Sequence, residues 1–189
     1  MEDARQQEQA GLQPGFSLIE LLTVLAVVAI LLALGVPGFQ SLLRNQRLST
    51  SVNGFVGAIH MTRSEAIRRG ARVDLAPADS ADWARGWVVF VDQNGNQQAD
   101  AGEAVIARQG AAARGMTIKS ALTDSSKPYL AYNGSGRTRT NASSQTPQLG
   151  TISFFLDGGI RRIKLNFSGR ARICNPELDK TCTGAGDAD

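Results

Sequence analysis

Apolar residues dominate the chain from Phe16 to Val36, and beyond that run they recur at spacings of three and four residues as far as Ile67. The first pattern predicts a helix of about 20 residues, which at 1.5 Å per residue can cross a bilayer core of about 30 Å. The second predicts an amphipathic helix that packs one face against a globular domain. Its apolar positions are Phe39, Leu42, Leu43, Leu48, Val52, Phe55, Val56, Ile59, Ala66 and Ile67. Pro37 predicts a kink, and Gly70 predicts the end of one long helix.

After Gly70 the pattern changes to short apolar segments separated by turn residues, which is typical of an antiparallel sheet. We expect strands at Arg72–Leu75, Trp87–Val91, Ala104–Gln109, Met116–Lys119, Tyr129–Tyr132, Thr151–Leu156 and Ile160–Phe167. The pair Gly158-Gly159 predicts a tight turn between the last two strands. The polar stretch Lys127–Gly150 predicts a mobile loop at the sheet edge. The predicted class is therefore α+β, with a long N-terminal helix packed on an antiparallel sheet.

One acidic residue, Glu20, interrupts the first apolar run, and a carboxylate in lipid is costly unless it is paired. The residues Gly15-Phe16-Ser17-Leu18-Ile19-Glu20 resemble the G-F-[ST]-L-[IV]-E signature at which type IV prepilin peptidase cuts pilins and the pseudopilins of type II secretion. The resemblance implies cleavage between Gly15 and Phe16, N-methylation of Phe16, and a role for Glu20 in assembly. Glu20 would pair with the N-terminal amine of a neighbouring subunit. The alternative is an ordinary signal anchor that contains a glutamate.

The segment Met61–Leu75, MTRSEAIRRGARVDL, resembles the end of the helix and the first strand in the GspH and FimT group of minor pilins and pseudopilins. That resemblance implies a type IV pilin-like fold in four parts. They are a prepilin leader peptide (1–15), a transmembrane and fibre-core helix (16–38), an amphipathic helix (39–70) and a β-rich periplasmic domain with a C-terminal disulfide loop (71–189). The implied partners are prepilin peptidase, the inner membrane, and other major or minor pilins or pseudopilins.

The orientation of the chain in a membrane rests on two opposed signals. The leader is acidic while Arg44 and Arg47 follow the apolar run, which by the positive-inside rule would place the C-terminal part in the cytoplasm. Long domains, however, translocate largely regardless of charge. The chain's two cysteines, Cys174 and Cys182, predict one disulfide and therefore an oxidising compartment; free thiols or half of a metal site are the alternative. We expect a single-pass inner-membrane protein with a periplasmic C-terminal domain, which later joins a pilus or pseudopilus fibre.

The sequence offers little for metal or catalytic chemistry. A calcium-loop spacing is occupied by Asp92, Asn94, Asn96, Gln98, Asp100 and Glu103. Gln97 stands where such a loop requires glycine, so a turn rich in side-chain to backbone hydrogen bonds is favoured and no metal site is predicted. His60 is the one histidine and is predicted to be a surface residue. Without paired acids or a Gly-rich phosphate loop, we predict neither an enzyme nor a cofactor.

The segment Ile160–Ile173 alternates between apolar and basic residues. The apolar positions, predicted to face the core, are Ile163, Leu165 and Phe167. The basic positions, predicted to share one exposed face if the strand continues, are Arg162, Lys164, Arg170 and Arg172. A bulge at Gly169 would shift the register by one residue and separate the two pairs of cations.

The motif Gly169-Arg170-Ala171-Arg172, followed by Cys174, resembles the C-terminal G-R-x-R motif with which FimT-type minor pilins bind DNA during natural transformation. The resemblance implies Arg170 and Arg172 as phosphate contacts on double-stranded DNA. A second copy, Gly136-Arg137-Thr138-Arg139, lies in the polar stretch. The residues that would add supporting charge are Arg162, Lys164, Arg137 and Arg139.

Three functions stay open at this point. The chain is a DNA-binding minor pilin, a structural minor pilin that primes pilus assembly, or a GspH-like pseudopilin of a type II secretion system. In the second, its edge-strand arginines only discourage aggregation.

Overall fold

The first element is a single long helix. The computed structural model describes residues 15–79 and 81–184, and helix α1 comprises Leu18–Arg69, 52 residues that include Pro37. The chain divides into two compact units at the boundary between Ser41 and Leu42. In the first unit the large apolar side chains of α1 are exposed, and by length and composition this helix could cross a membrane. The kink near Pro37 stays a prediction, as do the domain bounds.

Within the described residues, the second unit contains nine strands in two antiparallel sheets. They are β1 (Val73–Pro77), β2 (Trp87–Phe90), β3 (Val105–Gln109), β4 (Thr117–Leu122), β5 (Leu130–Tyr132), β6 (Thr138–Arg139), β7 (Gly150–Leu156), β8 (Gly159–Leu165) and β9 (Ala171–Cys174). One sheet has the order β3-β2-β1-β5-β6 and the other has the order β4-β7-β8-β9. A short 3-10 helix, Trp83–Arg85, connects β1 to β2. The predicted α+β class is therefore confirmed, but two sheets form instead of one.

The core of this unit lies between the buried face of α1 and both sheets. Phe55 is fully buried, and its ring centroid lies 5.1 Å from those of Trp83 and Trp87 and 5.5 Å from that of Phe154. These tilted and edge-on contacts are the favoured geometries for aromatic pairs. One helical side chain thus joins the 3-10 helix, the first sheet and the second sheet, which explains why an amphipathic helix can hold two sheets together.

The buried face of α1 is shorter than the apolar pattern predicts. It begins at Leu48 and ends at Ala66, both of which are completely buried. Leu42, Leu43 and Ile67 carry the same apolar spacing but are 62%, 40% and 52% exposed. The periodicity correctly predicted the helix and its inward face, but the sheets determine how many turns of that face are covered.

Each of the seven predicted strands has a counterpart with slightly different ends, and β6 and β9 were not predicted as separate strands. Within Lys127–Gly150, β5 corresponds to the predicted strand Tyr129–Tyr132, whereas β6 lies in the part predicted as a loop and was missed because it is only two residues long. The predicted Gly158-Gly159 turn is displaced by one residue. Asp157 and Gly158, with φ of 46° and 79°, form the turn, and Gly159 begins β8. Two successive positive φ angles are typical of a two-residue hairpin turn of type I′.

Candidate nucleic-acid interface

Strands β8 and β9 form a hairpin whose turn comprises residues 166–170. We call it the second arginine turn, because a similar turn precedes it in the sequence. The Asn166 backbone N–H donates to the Arg170 carbonyl at 3.1 Å, and Gly169 N–H donates to the Asn166 carbonyl at 2.9 Å. The Asn166 side-chain oxygen accepts from the backbone N–H groups of Ser168 and Arg170, at 3.1 and 2.9 Å. Gly169 has a φ of 75°, which favours glycine. The turn therefore holds the Arg170 backbone in a defined position.

Residues 133–137 repeat this turn between β5 and β6, and we call them the first arginine turn. Asn133 N–H donates to the Arg137 carbonyl at 3.0 Å, and Gly136 N–H donates to the Asn133 carbonyl at 2.9 Å. The Asn133 side-chain oxygen accepts from Ser135 N–H and Arg137 N–H, both at 3.1 Å. Gly136 also has a φ of 75°. The two turns share the sequence Asn-x-Ser-Gly-Arg. The repeated Gly-Arg pair was recognised from the sequence, but the asparagine and serine that precede it were missed.

The tertiary structure places the two arginine turns side by side. The Tyr132 hydroxyl donates to the Gly169 carbonyl at 2.7 Å, so the strand that leads into the first turn is bound to the second. A Cβ atom on Gly169 would lie 2.7 Å from Tyr132 Cε1 and 3.2 Å from the Gly136 carbonyl oxygen. Burial raises the pKa of the Tyr132 phenol, which keeps it a neutral donor. The turns belong to different sheets, so only the fold brings them together.

Several arginines lie near the contact between the two arginine turns, which we call the junction. Arg137 and Arg170 are exposed, and their side chains have no ion pair among residues 15–79 and 81–184. Arg63 on α1, which sequence reasoning missed, is near the first turn: a Cβ on Gly136 would lie 3.3 Å from Arg63 Nε. Its cationic neighbours Arg68 and Arg69 both bind Glu65 instead. The junction thus gathers cations from a helix and two turns.

Arg139, the second arginine of the first G-R-x-R copy, is partly buried. Its guanidinium donates to the carbonyls of Thr140 and Asn141, at 3.0 and 3.1 Å. These bonds stabilise the segment that follows β6. They direct Arg139 toward its own backbone, while Arg137 stays exposed.

The predicted common exposed face of Arg162, Lys164, Arg170 and Arg172 is wrong in part. The strand ends at Leu165 and the chain turns back, so Arg172 lies opposite Lys164 on the neighbouring strand. Arg162 is 1% exposed and its Nη1 donates to the Cys182 carbonyl. Lys164 Nζ donates to the Thr181 carbonyl at 2.9 Å. The C-terminal segment thus covers this face and removes Arg162 from the surface.

The covering segment is closed by a disulfide between Cys174 and Cys182, as the sequence predicted. Asp179 in this loop lies 3.5 Å from the Arg172 guanidinium, whose side chain is 61% exposed. A hydrogen bond from the Thr181 hydroxyl lowers the pKa of Asp179 below its usual value, so the carboxylate is charged at neutral pH. An exposed pair of this kind contributes little stability, and Arg172 remains accessible to a stronger anionic partner.

Phe167 is the clearest failure of the alternation argument. It was predicted to face the core with Ile163 and Leu165, which are indeed buried. Phe167 is 69% exposed, because β8 ends two residues earlier and Phe167 lies at the tip of the second arginine turn. Strand alternation applies only while the strand continues.

Away from this junction, Arg72 joins two carboxylates whose side chains are fully buried. Its Nη2 lies 2.6 Å from Asp74 Oδ2 and 2.9 Å from Asp92 Oδ2, and its Nη1 donates to Asn141 Oδ1 at 2.8 Å. Burial raises the pKa of Asp74 to about 7, and the nearby Asp92 adds to this rise while Arg72 opposes it. This cluster ties β1 to the loops that follow β2 and β6.

The predicted calcium-type spacing forms a hydrogen-bonded loop in the structure. Asp92 accepts from Gly95 N–H at 2.6 Å and from Gln97 N–H at 3.1 Å. Asp100 Oδ2 accepts from the side-chain amides of Asn94 and Asn96, at 2.8 and 2.6 Å. The carboxylates therefore have donors within the loop, which agrees with the interpretation of this segment as a structural turn.

The predicted processing site lies at the start of the described chain. Gly15, Phe16 and Glu20 are exposed, and Glu20 N–H donates to the Ser17 hydroxyl oxygen at 3.3 Å in the first turn of α1. The rest of the predicted leader, residues 1–14, lies outside the described residues. Leader cleavage, N-methylation and the assembly role of Glu20 stay predictions.

Family models match both parts of this chain. The family described as type II transport protein GspH matches residues 51–169, which is more than half of the sequence. The prokaryotic N-terminal methylation motif matches residues 12–36, which include the predicted processing site. The signature that begins at Gly15-Phe16 therefore has independent support.

Curated relatives match shorter segments. The chain is 41% identical over 91 residues to the pilin-like protein PilA1 of Thermus thermophilus, and the match covers 47% of this chain and 54% of that protein. It is 46% identical over 44 residues to the prepilin peptidase-dependent protein D of Escherichia coli, covering 23% of this chain and 30% of that protein. The chain thus spans about half, or less, of these relatives.

The fold has a solved counterpart. The crystal structure of the type IV minor pilin FimU of Pseudomonas aeruginosa, in space group P21, aligns with a TM-score of 0.55 at 18% sequence identity. The alignment covers 70% of this chain and 92% of that chain. At this identity the likeness concerns the fold alone, and it confirms the predicted type IV pilin-like architecture.

Proposed function

The chain belongs to the GspH family, and from that premise we propose that it is a FimT-like minor pilin of a type IV pilus that binds DNA in natural transformation. The family consists of pilin-type subunits rather than enzymes, so function arises from assembly and from exposed surfaces. The observation that supports the DNA-binding proposal is the contact between the two matched arginine turns, each of which carries an exposed arginine, Arg137 in one and Arg170 in the other.

The chemistry of these side chains suits a phosphate backbone. A guanidinium presents several donors in a planar fork that matches two phosphate oxygens. Arg137 and Arg170 are exposed on hydrogen-bonded turns, Arg172 is 61% exposed, and Arg63 lies beside the first turn. Lys164 and Arg139 add positive charge nearby while their donors bind backbone carbonyls. Buried Arg162 is not a contact in this proposal.

The N-terminal unit supplies assembly in the proposed function. Helix α1 anchors the precursor in the inner membrane, with the C-terminal domain in the periplasm. Prepilin peptidase then cleaves between Gly15 and Phe16, and Phe16 is methylated. The freed amine of one subunit pairs with Glu20 of its neighbour, where low dielectric strengthens the attraction between the two charges. Apolar helices pack together in the fibre, alongside other major or minor pilins.

The assembly part is tested with Glu20→Ala in the full-length chain. We expect normal membrane insertion, because the substitution makes the segment more apolar, and a strong loss of the subunit from sheared fibres. Glu65→Ala, which removes a carboxylate near the other end of the same helix, is the matched control. Equal amounts of the Glu20→Ala and wild-type subunits in fibres would contradict the pairing.

The DNA-binding part is tested by salt titration of duplex binding with the full-length protein in detergent. Arg137→Gln with Arg170→Gln removes two exposed charges at the junction. Arg108→Gln with Arg114→Gln removes two exposed charges elsewhere and is the matched control. Since each phosphate contact contributes about −0.9 to the slope of log K against log salt, the first double variant should make this slope less negative by about 2.

Two results would contradict this assignment. An equal effect of both double variants would show that only net charge matters, and no duplex binding at low salt would remove the DNA role altogether. The alternatives are a structural minor pilin that primes assembly and a pseudopilin of type II secretion. The description of the matching family, a type II transport protein, favours the second of these. Co-purification of the chain with secretion components rather than with pili would identify it as a pseudopilin of type II secretion.

A further inference from the structure

The second arginine turn exposes an aromatic ring that the phosphate contacts do not use. Phe167 is 69% exposed at the tip of this turn, three residues before Arg170 in the sequence. Its two neighbours in the turn, Asn166 and Ser168, are polar. An exposed aromatic side chain among cations and polar groups is a surface on which a flat, partly polar ligand can stack.

Phe167 also borders a concave site beside the first arginine turn. The cavity has a volume of about 510 Å³, within the range of small-ligand sites, and its polar lining includes Ser135, Arg137, Ser144 and Gln145. The hydroxyl and amide groups can donate and accept hydrogen bonds, as the edge of a nucleobase requires. The guanidinium of Arg137, which also lines the cavity, supplies a charge for phosphate.

We propose that this cavity is a base-binding site for single-stranded DNA, in which Phe167 stacks on an unpaired base and Arg137 binds the adjoining phosphate. The proposal rests on the proposed DNA binding and deepens it. In a duplex the faces of the bases are covered by their neighbours, so Phe167 could reach a base face only where the strands are separated. Single strands and unpaired ends are therefore the preferred ligand at this site.

A neighbouring protein subunit is the other occupant to consider. The cores of protein interfaces are depleted in most charged residues, but aromatic residues and arginine are enriched there, so Phe167 and Arg137 by themselves fit either occupant. The rest of the lining is mainly polar: beside Pro147 it has the amides of Asn133 and Gln145 and the hydroxyls of Ser135, Thr138 and Ser144. The combination of one π-face, hydrogen-bonding groups and a cation matches a nucleotide unit better than it matches an apolar protein surface.

The test measures fluorescence anisotropy of labelled DNA with the full-length protein in detergent. The probes are a 20-residue thymidine oligonucleotide, an abasic oligonucleotide of equal length, and a blunt duplex. The variants are Phe167→Ala, Phe167→Tyr and, as a matched control, Leu178→Ala, which removes another exposed apolar side chain. Because stacking is sequence-tolerant, thymidine suffices as the probe.

We expect Phe167→Ala to weaken binding of the thymidine strand by about five- to a hundredfold and to leave the abasic strand and the duplex unchanged. Phe167→Tyr should retain the affinity, and Leu178→Ala should change nothing. If Phe167→Ala binds the thymidine strand as wild type does while the duplex still binds, base stacking is overturned and the DNA-binding proposal stands. If it weakens all three probes equally, Phe167 supports the turn and stacks on no base, which also overturns the inference. If wild type binds no probe, both proposals fail.

Discussion

Gly169→Ala tests whether the two arginine turns are held together as the structure shows. Gly169 has a φ of 75°, where an alanine costs about 1–2 kcal/mol. Its Cβ would also lie 2.7 Å from Tyr132 Cε1, and Tyr132 cannot move aside easily because it is fully buried and donates to the Gly169 carbonyl. Overpacking of this kind adds about 1–3 kcal/mol. The expected loss of unfolding free energy is therefore about 2–5 kcal/mol.

Gly158→Ala is the matched control for backbone strain. Gly158 has a φ of 79°, but a Cβ there would meet nothing within 4 Å, so only the strain of about 1–2 kcal/mol applies. Thermal unfolding of the detergent-solubilised protein can be followed by tryptophan fluorescence, since Trp83 and Trp87 are buried in the core. Gly169→Ala should melt roughly 2–12 °C below Gly158→Ala. Equal melting temperatures would refute the close contact between the turns.

Three further substitutions test the disulfide, a buried carboxylate and the core through urea unfolding. Replacing Cys174 and Cys182 by alanine should cost about 2.5 kcal/mol, the chain entropy of a loop with a sequence separation of 8, and no loss would contradict this. Asp74 has a folded pKa of about 7 and an ordinary value of 3.8, so the native state binds more protons between these values. Wild-type stability should therefore fall by a few kcal/mol at most as pH rises from 4 to 8, and Asp74→Asn should flatten this slope; parallel profiles would contradict the shift. Phe55→Ala should cost about 3–5 kcal/mol, and a cost below about 1 kcal/mol would show that its ring does not join the two sheets.

The positions that could be predicted share a local cause. Helix periodicity depends on neighbours three and four residues away, so the sequence predicted α1 and its inward face, including Leu48 and Phe55. The prepilin signature at Gly15-Phe16 is a contiguous motif, and the N-terminal methylation motif matches there. The disulfide followed from two cysteines with few other partners to consider.

The surface chemistry of the C-terminal region could not be predicted in the same way. Alternation placed Phe167 inside and Arg162 outside, and both assignments were wrong. The reason is that the point at which β8 ends, and the covering of one of its faces by the disulfide loop, depend on contacts with distant residues.

The sequence by itself therefore determined the long helix, its processing signature, the disulfide and two copies of an arginine motif. Only the tertiary structure decided that these copies belong to two different sheets and meet at Tyr132 and Gly169. It also decided which cations remain exposed. A motif determines the shape of a turn through hydrogen bonds among adjacent residues, whereas proximity between turns results from packing both sheets on one helix, which no local pattern encodes.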